Sequence, residues 1–358
     1  MLVLGIETSC DETSVGVVRD GRELLSNSVL SQIDIHAEYG GIVPEIAARS
    51  HLEAMNPMIE QALKEADVAW NDIDAIGVTY GAGLSGSLLI GATTARVLAI
   101  VKDKPLYACN HVEGHVYANY LTSYESPEIR DGRPALPSRQ PAFPLLALIV
   151  SGKHSQLVLF RDHGDYDLLG QAQDDAIGEA FDKVARILGL PYPGGPSIAK
   201  IATDGDPDKY TLPISRIAGD YNFSFSGIKT AVLRLCQGLA GGDHAMPSFE
   251  IAQHLSEVQK ADVAASFQKT AVKTVVDKTI KAYEEFQPKD VVIAGGVAAS
   301  QELRAQLTER LPIDIQYAPI GLCTDNGAMI ACLCCHQIMN EMDPADPYTL
   351  GINPSLSM

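Results

Sequence analysis

The chain has 358 residues, of which 46% are hydrophobic and 20% charged, with a formal net charge of −18. This length exceeds what one growing core accommodates, so two packed lobes are expected, and the composition excludes a disordered chain. The acidic balance excludes a broad electrostatic grip on nucleic acid, so an RNA partner requires a local basic patch or a helper protein.

The opening LVLGIET reads as a buried strand rather than a signal peptide, because no basic segment precedes it and an acidic cluster follows at once. SVGVVRD comes next, then a hairpin turn at Asp20-Gly21 and ELLSNSVLS, a strand meander. Glu45 to about Ala66 has helical spacing, with Pro57 as a break or kink. DAIGVTYG is a short strand ending in a glycine turn, and SGSLLIGATTARVLAIVK is a helix. No run of apolar residues approaches the 18 needed for a membrane span.

The proline-rich stretch 122–143 has no periodicity and reads as a linker or loop between an N-terminal lobe, 1–121, and a C-terminal lobe, 144–358. PLLALIVSGKHSQLVLF then repeats the opening theme of strand, turn and strand, so the topology looks duplicated. A helix at DDAIGEAFDKVARILGL, a loop at PYPGGPS, a long helical stretch from about Phe249 to Glu285 and the strand of DVVIAGGVAAS follow. CTDNGAMIACLCCHQIM reads as a loop capped by Asp325 or Asn326 into a final helix, which is free to pack back on the first lobe. Cys332, Cys335 and His336 share one face of that helix and are expected to be small buried fillers rather than a second metal site. Seven cysteines without an export signal predict free thiols in a reducing cytoplasm.

In HVEGH, His111 and His115 stand four residues apart, so on a helix they share a face and can close on one ion. Spacing alone equally allows a solvated helix face or satisfied core histidines. Glu113 points roughly the other way, unlike the glutamate of H-E-x-x-H, which disfavours metalloprotease chemistry. Three turns can present backbone N–H groups to a phosphate: Thr8 to Thr13, Ser151-Gly152-Lys153-His154, and Gly295-Gly296. None is a Walker A or dinucleotide fingerprint.

The segments GIETSCDET, YGGIVPEIAARSH, HVEGH, VSGKHSQL, DDAIGEAFDKVARILGLPYPGGP, FSFSGIKTAV, AGGVAAS and CTDNGAM resemble, in order, those of the TsaD family, tRNA adenosine threonylcarbamoyltransferases formerly named O-sialoglycoprotein endopeptidases. The resemblance implies an α/β, two-lobed actin-like ATPase (ASKHA) fold, a duplicated mixed sheet with flanking helices and a cleft between lobes. It implies transfer of threonylcarbamoyl from threonylcarbamoyl-AMP to N6 of the adenosine beside the anticodon in tRNAs reading codons that begin with A. It makes His111, His115 and Asp325 ligands of one divalent metal, iron(II) before zinc. Around an AMP-containing ligand or ATP it sets Ile149, Val150, Ser151, Gly152, Lys153, His154, Asp182, Gly195, Gly295, Gly296 and Ser300. Lys153 stands where the family has glycine and Ser300 where it has asparagine. His154, Asp11 and Glu12 are the candidates for proton handling. Implied partners are tRNA, a TsaB-like paralogue and a TsaE-like ATPase, with a homodimer allowed and no membrane.

Overall fold

The computed structural model describes residues 1–125, 135–242 and 246–358. They form two compact units: Met1–Phe143 with Phe160–Tyr166 and Gln316–Met358, and Pro144–Leu159 with Asp167–Ile315. Residues 316–358, assigned from the sequence to the C-terminal lobe, thus cluster with the first unit. Part of the stretch expected as a linker, 126–134, lies outside the described residues. Its neighbours Ser123–Tyr124 add a short strand to the first sheet, and Gln140 Nε2 donates to the carbonyls of Gly21 and Tyr120 at 3.1 and 3.0 Å.

The first unit is built on a six-stranded sheet of order β5-β4-β1-β2-β3-β6: β1 Leu2–Glu7, β2 Glu12–Arg19, β3 Glu23–Ser31, β4 Ala75–Gly81, β5 Leu106–Asn110 and β6 Ser123–Tyr124. β1, β2 and β3 pair antiparallel, while β4 and β5 continue parallel on the other side of β1. The β2–β3 turn sits at Asp20 and Gly21, both at positive φ (53 and 61°), the type I′ arrangement that matches strand twist.

Alternation along β1 splits its side chains between the two faces. Leu4 and Ile6, with Val15 and Val17, join one cluster with Met55, Ile59 and Ala62 of helix Pro44–Glu65 and Ala95 and Ala99 of helix Ser85–Lys102. Of the break or kink expected at Pro57, the break is absent: helix Pro44–Glu65 runs through it. On the other face glycines replace apolar side chains. A Cβ on Gly5 would lie 2.3 Å from the backbone of Ala331 and Gly327, and one on Gly16 would lie 2.4 Å from Ala328 N. Helix Gly327–Met339 therefore lies backbone-to-backbone on β1 and β2. Its Cys332, Cys334 and Cys335 are fully buried, and burial raises all three thiols, Cys335 to about 12. They are buried fillers, as expected of Cys332 and Cys335 from the burial habit of free cysteine.

Among the described residues one helix, Ser85–Lys102, is long and apolar enough by length and composition to cross a membrane. Leu88, Gly91, Ala92, Ala95 and Ala99 of that helix are buried within the first unit.

The second unit carries most of a five-stranded sheet of order β11-β10-β7-β8-β9: β7 Leu145–Val150, β8 Ser155–Asp162, β9 Asp165–Gln171, β10 Asp290–Ala294 and β11 Ile315–Tyr317. β7 pairs parallel with β10 as β1 does with β4, so the order of the first sheet's centre recurs. The expected PYPGGPS loop is mostly a helix start, because Gly194 opens helix Gly194–Ala202 directly after Pro193.

Candidate metal centre and glycine turns

β5 leads straight into the helix His111–Tyr117. A seven-residue helix is marginal by itself, and two things hold this one: the Asn110 side chain accepts from Val112 N, and every residue from His111 to Tyr117 is buried. The i, i+4 spacing sets the two imidazoles side by side, ring centroids 4.7 Å apart and planes at 74°. Asp325 arrives from the other end of the sequence, one residue before Asn326, whose side chain caps the final helix by accepting from Met329 N. Asp325 Oδ1 lies 3.6 Å from His111 Nε2 and 3.3 Å from His115 Nε2. One ligand atom from each residue falls within 4.8 Å of the others.

These atoms fit a metal ion. Ligand–ion bonds of roughly 2.1 Å leave neighbouring donor atoms about 3 to 3.5 Å apart. Both ring nitrogens of His115 are buried without a hydrogen-bond partner, a costly arrangement unless one of them has a ligand role. Two imidazoles and a carboxylate suit iron(II), zinc or manganese. Among the described residues this is the group able to hold a metal, and Cys332, Cys335 and His336 are not part of it.

Glu7 was not singled out in the sequence, yet it orients the centre. It is fully buried at the end of β1, and its Oε2 lies 3.1 Å from His111 Nδ1. Ser9 N and Thr79 Oγ1 each donate to it at 2.5 Å. Burial alone would push this carboxyl up, but the adjoining His111 and the Ser9 hydrogen bond outweigh it, and its pKa lies below the ordinary value. A carboxylate on His111 Nδ1 turns Nε2 toward Asp325 and fixes the ring. The signal available in LVLGIET was a lone acid ending an otherwise apolar strand. Ser9 adds a bridge, its hydroxyl 3.1 Å from His111 Nδ1 and 3.5 Å from Asp325 Oδ2.

Asp11 is buried in the β1–β2 turn. Glu12 accepts from Ser31 Oγ at 3.2 Å, and burial, with Asp325 and Asp11 nearby, raises its carboxyl to about 9. Burial alone raises Glu113 to about 7. Its electrostatic neighbours are Tyr80, Tyr117 and Tyr166, and it is no member of the metal group. This agrees with the face assigned to it from spacing.

The second unit brings the glycine turns together. Ile149 and Val150 end β7, fully buried. Ser151 N donates to His154 O at 2.8 Å, and Ser151 Oγ accepts from the Lys153 and His154 amides at 3.4 and 3.1 Å. Gly295 has φ 87°, and a Cβ there would lie 2.4 Å from Val150 O, so only glycine fits. A Cβ on Gly178 would lie 2.6 Å from Ser151 O, which seats the start of helix Ile177–Ile187 on the same turn. Asp182 Oδ1, on that helix, accepts from Gly194 N at 2.7 Å and so joins the Gly194-Gly195 segment to it. Burial raises the Asp182 carboxyl, against the pull of that amide. Ser300 does helix work: its hydroxyl accepts from Leu303 N at 3.4 Å and caps helix Gln301–Arg310 behind the Gly295-Gly296 turn.

Two mixed sheets of recurring order with flanking helices define the α/β fold of the actin-like ATPases, here with a histidine–carboxylate centre in the first unit. The solved structure of HypF from T. kodakarensis has this fold, with a TM-score of 0.59 at 14% identity over 97% of this chain and 49% of that one. The family model for TsaD, tRNA N6-adenosine threonylcarbamoyltransferase, matches residues 23–332. The protein of that name from Thermomicrobium roseum is 49% identical over 92% of this chain and 90% of its own. The one from Dehalococcoides mccartyi strain BAV1 is 46% identical over 100% and 99%. The chain belongs to the TsaD family.

Proposed function

We propose that this protein transfers the threonylcarbamoyl group from threonylcarbamoyl-AMP to N6 of the adenosine beside the anticodon in tRNAs reading codons that begin with A, releasing AMP. The observation that carries the reading is the convergence of His111, His115 and Asp325, with both His115 nitrogens otherwise unbonded, in a chain of this family. An iron(II) or zinc ion held by these three residues would supply Lewis-acid polarisation of the donor carbonyl.

The remaining steps belong to the protein's own groups. Glu7 and Ser9 keep His111 in one orientation through Nδ1. In the second unit the Gly152 amide and the Gly295-Gly296 turn bind the AMP phosphate, with Lys153 as its counter-charge. Exocyclic adenine nitrogen is a weak nucleophile, so orientation and charge stabilisation contribute more than early deprotonation. Glu12, whose carboxyl burial raises, is the first unit's candidate for holding a proton. Asp11 and His154 are the other candidates for proton handling. The acidic charge of the chain favours tRNA delivery with partner proteins, a TsaB-like paralogue and a TsaE-like ATPase.

The test incubates the purified chain and these partners with unmodified tRNA and enzymatically prepared threonylcarbamoyl-AMP, reading the modified nucleoside by mass spectrometry. Wild type forms the product. His111→Ala with His115→Ala loses bound metal and lowers kcat/KM by more than about 100-fold, exceeding the loss from an outer partner of a ligand. Full activity and metal content in the double variant overturn the reading.

A further inference from the structure

We infer that His51 is a positioning residue, holding the β1–β2 turn, which carries Ser9, Asp11 and Glu12, in register with the metal centre. The inference rests on the transferase reading for its kinetic consequence and on geometry for everything else.

His51 lies on helix Pro44–Glu65, outside the centre, and is fully buried. Its Nε2 faces the carbonyl of Cys10 at 3.0 Å. A carbonyl only accepts, so Nε2 carries the proton and, in the neutral ring, Nδ1 is the acceptor. Thr13 Oγ1 stands 2.8 Å from Nδ1 and Gln32 Nε2 3.5 Å, both able to donate. Burial also lowers the His51 pKa, which favours the neutral ring. The chain of contacts continues: Gln32 Oε1 accepts from His36 Nε2 at 3.2 Å, and His36 Nδ1 accepts from Val43 N at 3.3 Å.

Three carbonyls of the turn are held from outside it. Leu84 N donates to Ser9 O at 2.8 Å, Ser87 Oγ joins His51 on Cys10 O at 3.3 Å, and Gln32 N donates to Asp11 O at 3.0 Å. His51 reaches this turn from helix Pro44–Glu65 and also contacts both Thr13 beyond the turn and Gln32 ahead of the helix Ile33–Ala37. Ser9 in turn touches His111 and Asp325. A displaced Cys10 carbonyl moves Ser9 and Asp11 on either side of it.

The experiment compares wild type, His51→Leu and His51→Gln in the transfer assay, with metal content measured alongside. A glutamine amide nitrogen can reach about where Nε2 sits, so it keeps the donor to Cys10 O while leucine removes it. The leucine variant loses about 10- to 100-fold in kcat, with tRNA KM and bound metal unchanged, since small misplacements of reacting groups cost that much. The glutamine variant recovers most of the loss. Wild-type kcat in the leucine variant, or a glutamine variant as impaired as leucine, overturns the inference. If leucine prevents folding, Thr13→Val takes its place, with kcat lowered and metal retained as the expected result and unchanged kcat as the overturning one. If wild type itself transfers nothing, the functional reading fails, and hydrogen exchange of residues 8–14 decides the positioning: faster in the leucine variant than in wild type and glutamine supports it, and equal rates overturn it.

Discussion

The candidate metal centre and the glycine turns achieve order by opposite means. In the first unit, Glu7, Ser9, His111, His115 and Asp325 come from three stretches of chain, and side chains make the site. In the second, backbone makes it: Gly178 and Gly295 pack against Ser151 and Val150 with no room for a Cβ. A site of side chains is damaged by removing a partner, whereas a site of backbone is damaged by adding an atom.

Acid separates the two most strongly. Burial lowers His336 to about 3, and its ring stacks on His163 at 4.3 Å, whose pKa burial also lowers. Both bind protons more readily when unfolded, so the stability they contribute is present above about pH 6.5 and is lost as pH falls toward 3. The first unit should lose on the order of a few kcal/mol over that window. Hydrogen exchange at pH 7 and pH 4 should show its final helix opening before the second unit, and His336→Phe should flatten the pH dependence.

Among substitutions, Gly295→Ala should cost about 1–3 kcal/mol through overpacking and strain at positive φ. Gly152→Ala should cost less than half as much, because a Cβ there meets nothing within 4 Å. Thermal unfolding of the two variants checks this. Glu7→Gln should weaken metal affinity by about 10- to 100-fold with the fold intact, measured by chelator competition. If affinity is unchanged, the centre does not depend on its outer partner. Ser300→Ala should cost about 1 kcal/mol of stability through its lost helix cap, and Ser300→Asn should restore it.

Local pattern made much of this legible. The helices 85–102 and 327–339, the hairpin at Asp20-Gly21 and the shared face of His111 and His115 follow from periodicity and turn chemistry that neighbours in sequence decide. Glu7 stayed hidden because its meaning comes from a histidine 104 positions away. From sequence alone, 316–358 falls in the C-terminal lobe for the same reason: the glycines at 5 and 16 reveal nothing until a helix lies on them. Pro57 stays within its helix because burial of Met55, Ile59 and Ala62 outweighs the lost hydrogen bond.

The close seating of the final helix on Gly5 and Gly16 also sets an order of events in the cell. The first two strands leave the ribosome long before Gly327 is made, and their glycine face stays uncovered until then. Asp325 enters with that helix, so a growing chain has the two histidines before the third member of the group. If these three residues hold the proposed ion, a product truncated before Asp325 should bind metal poorly, however well its opening meander has formed.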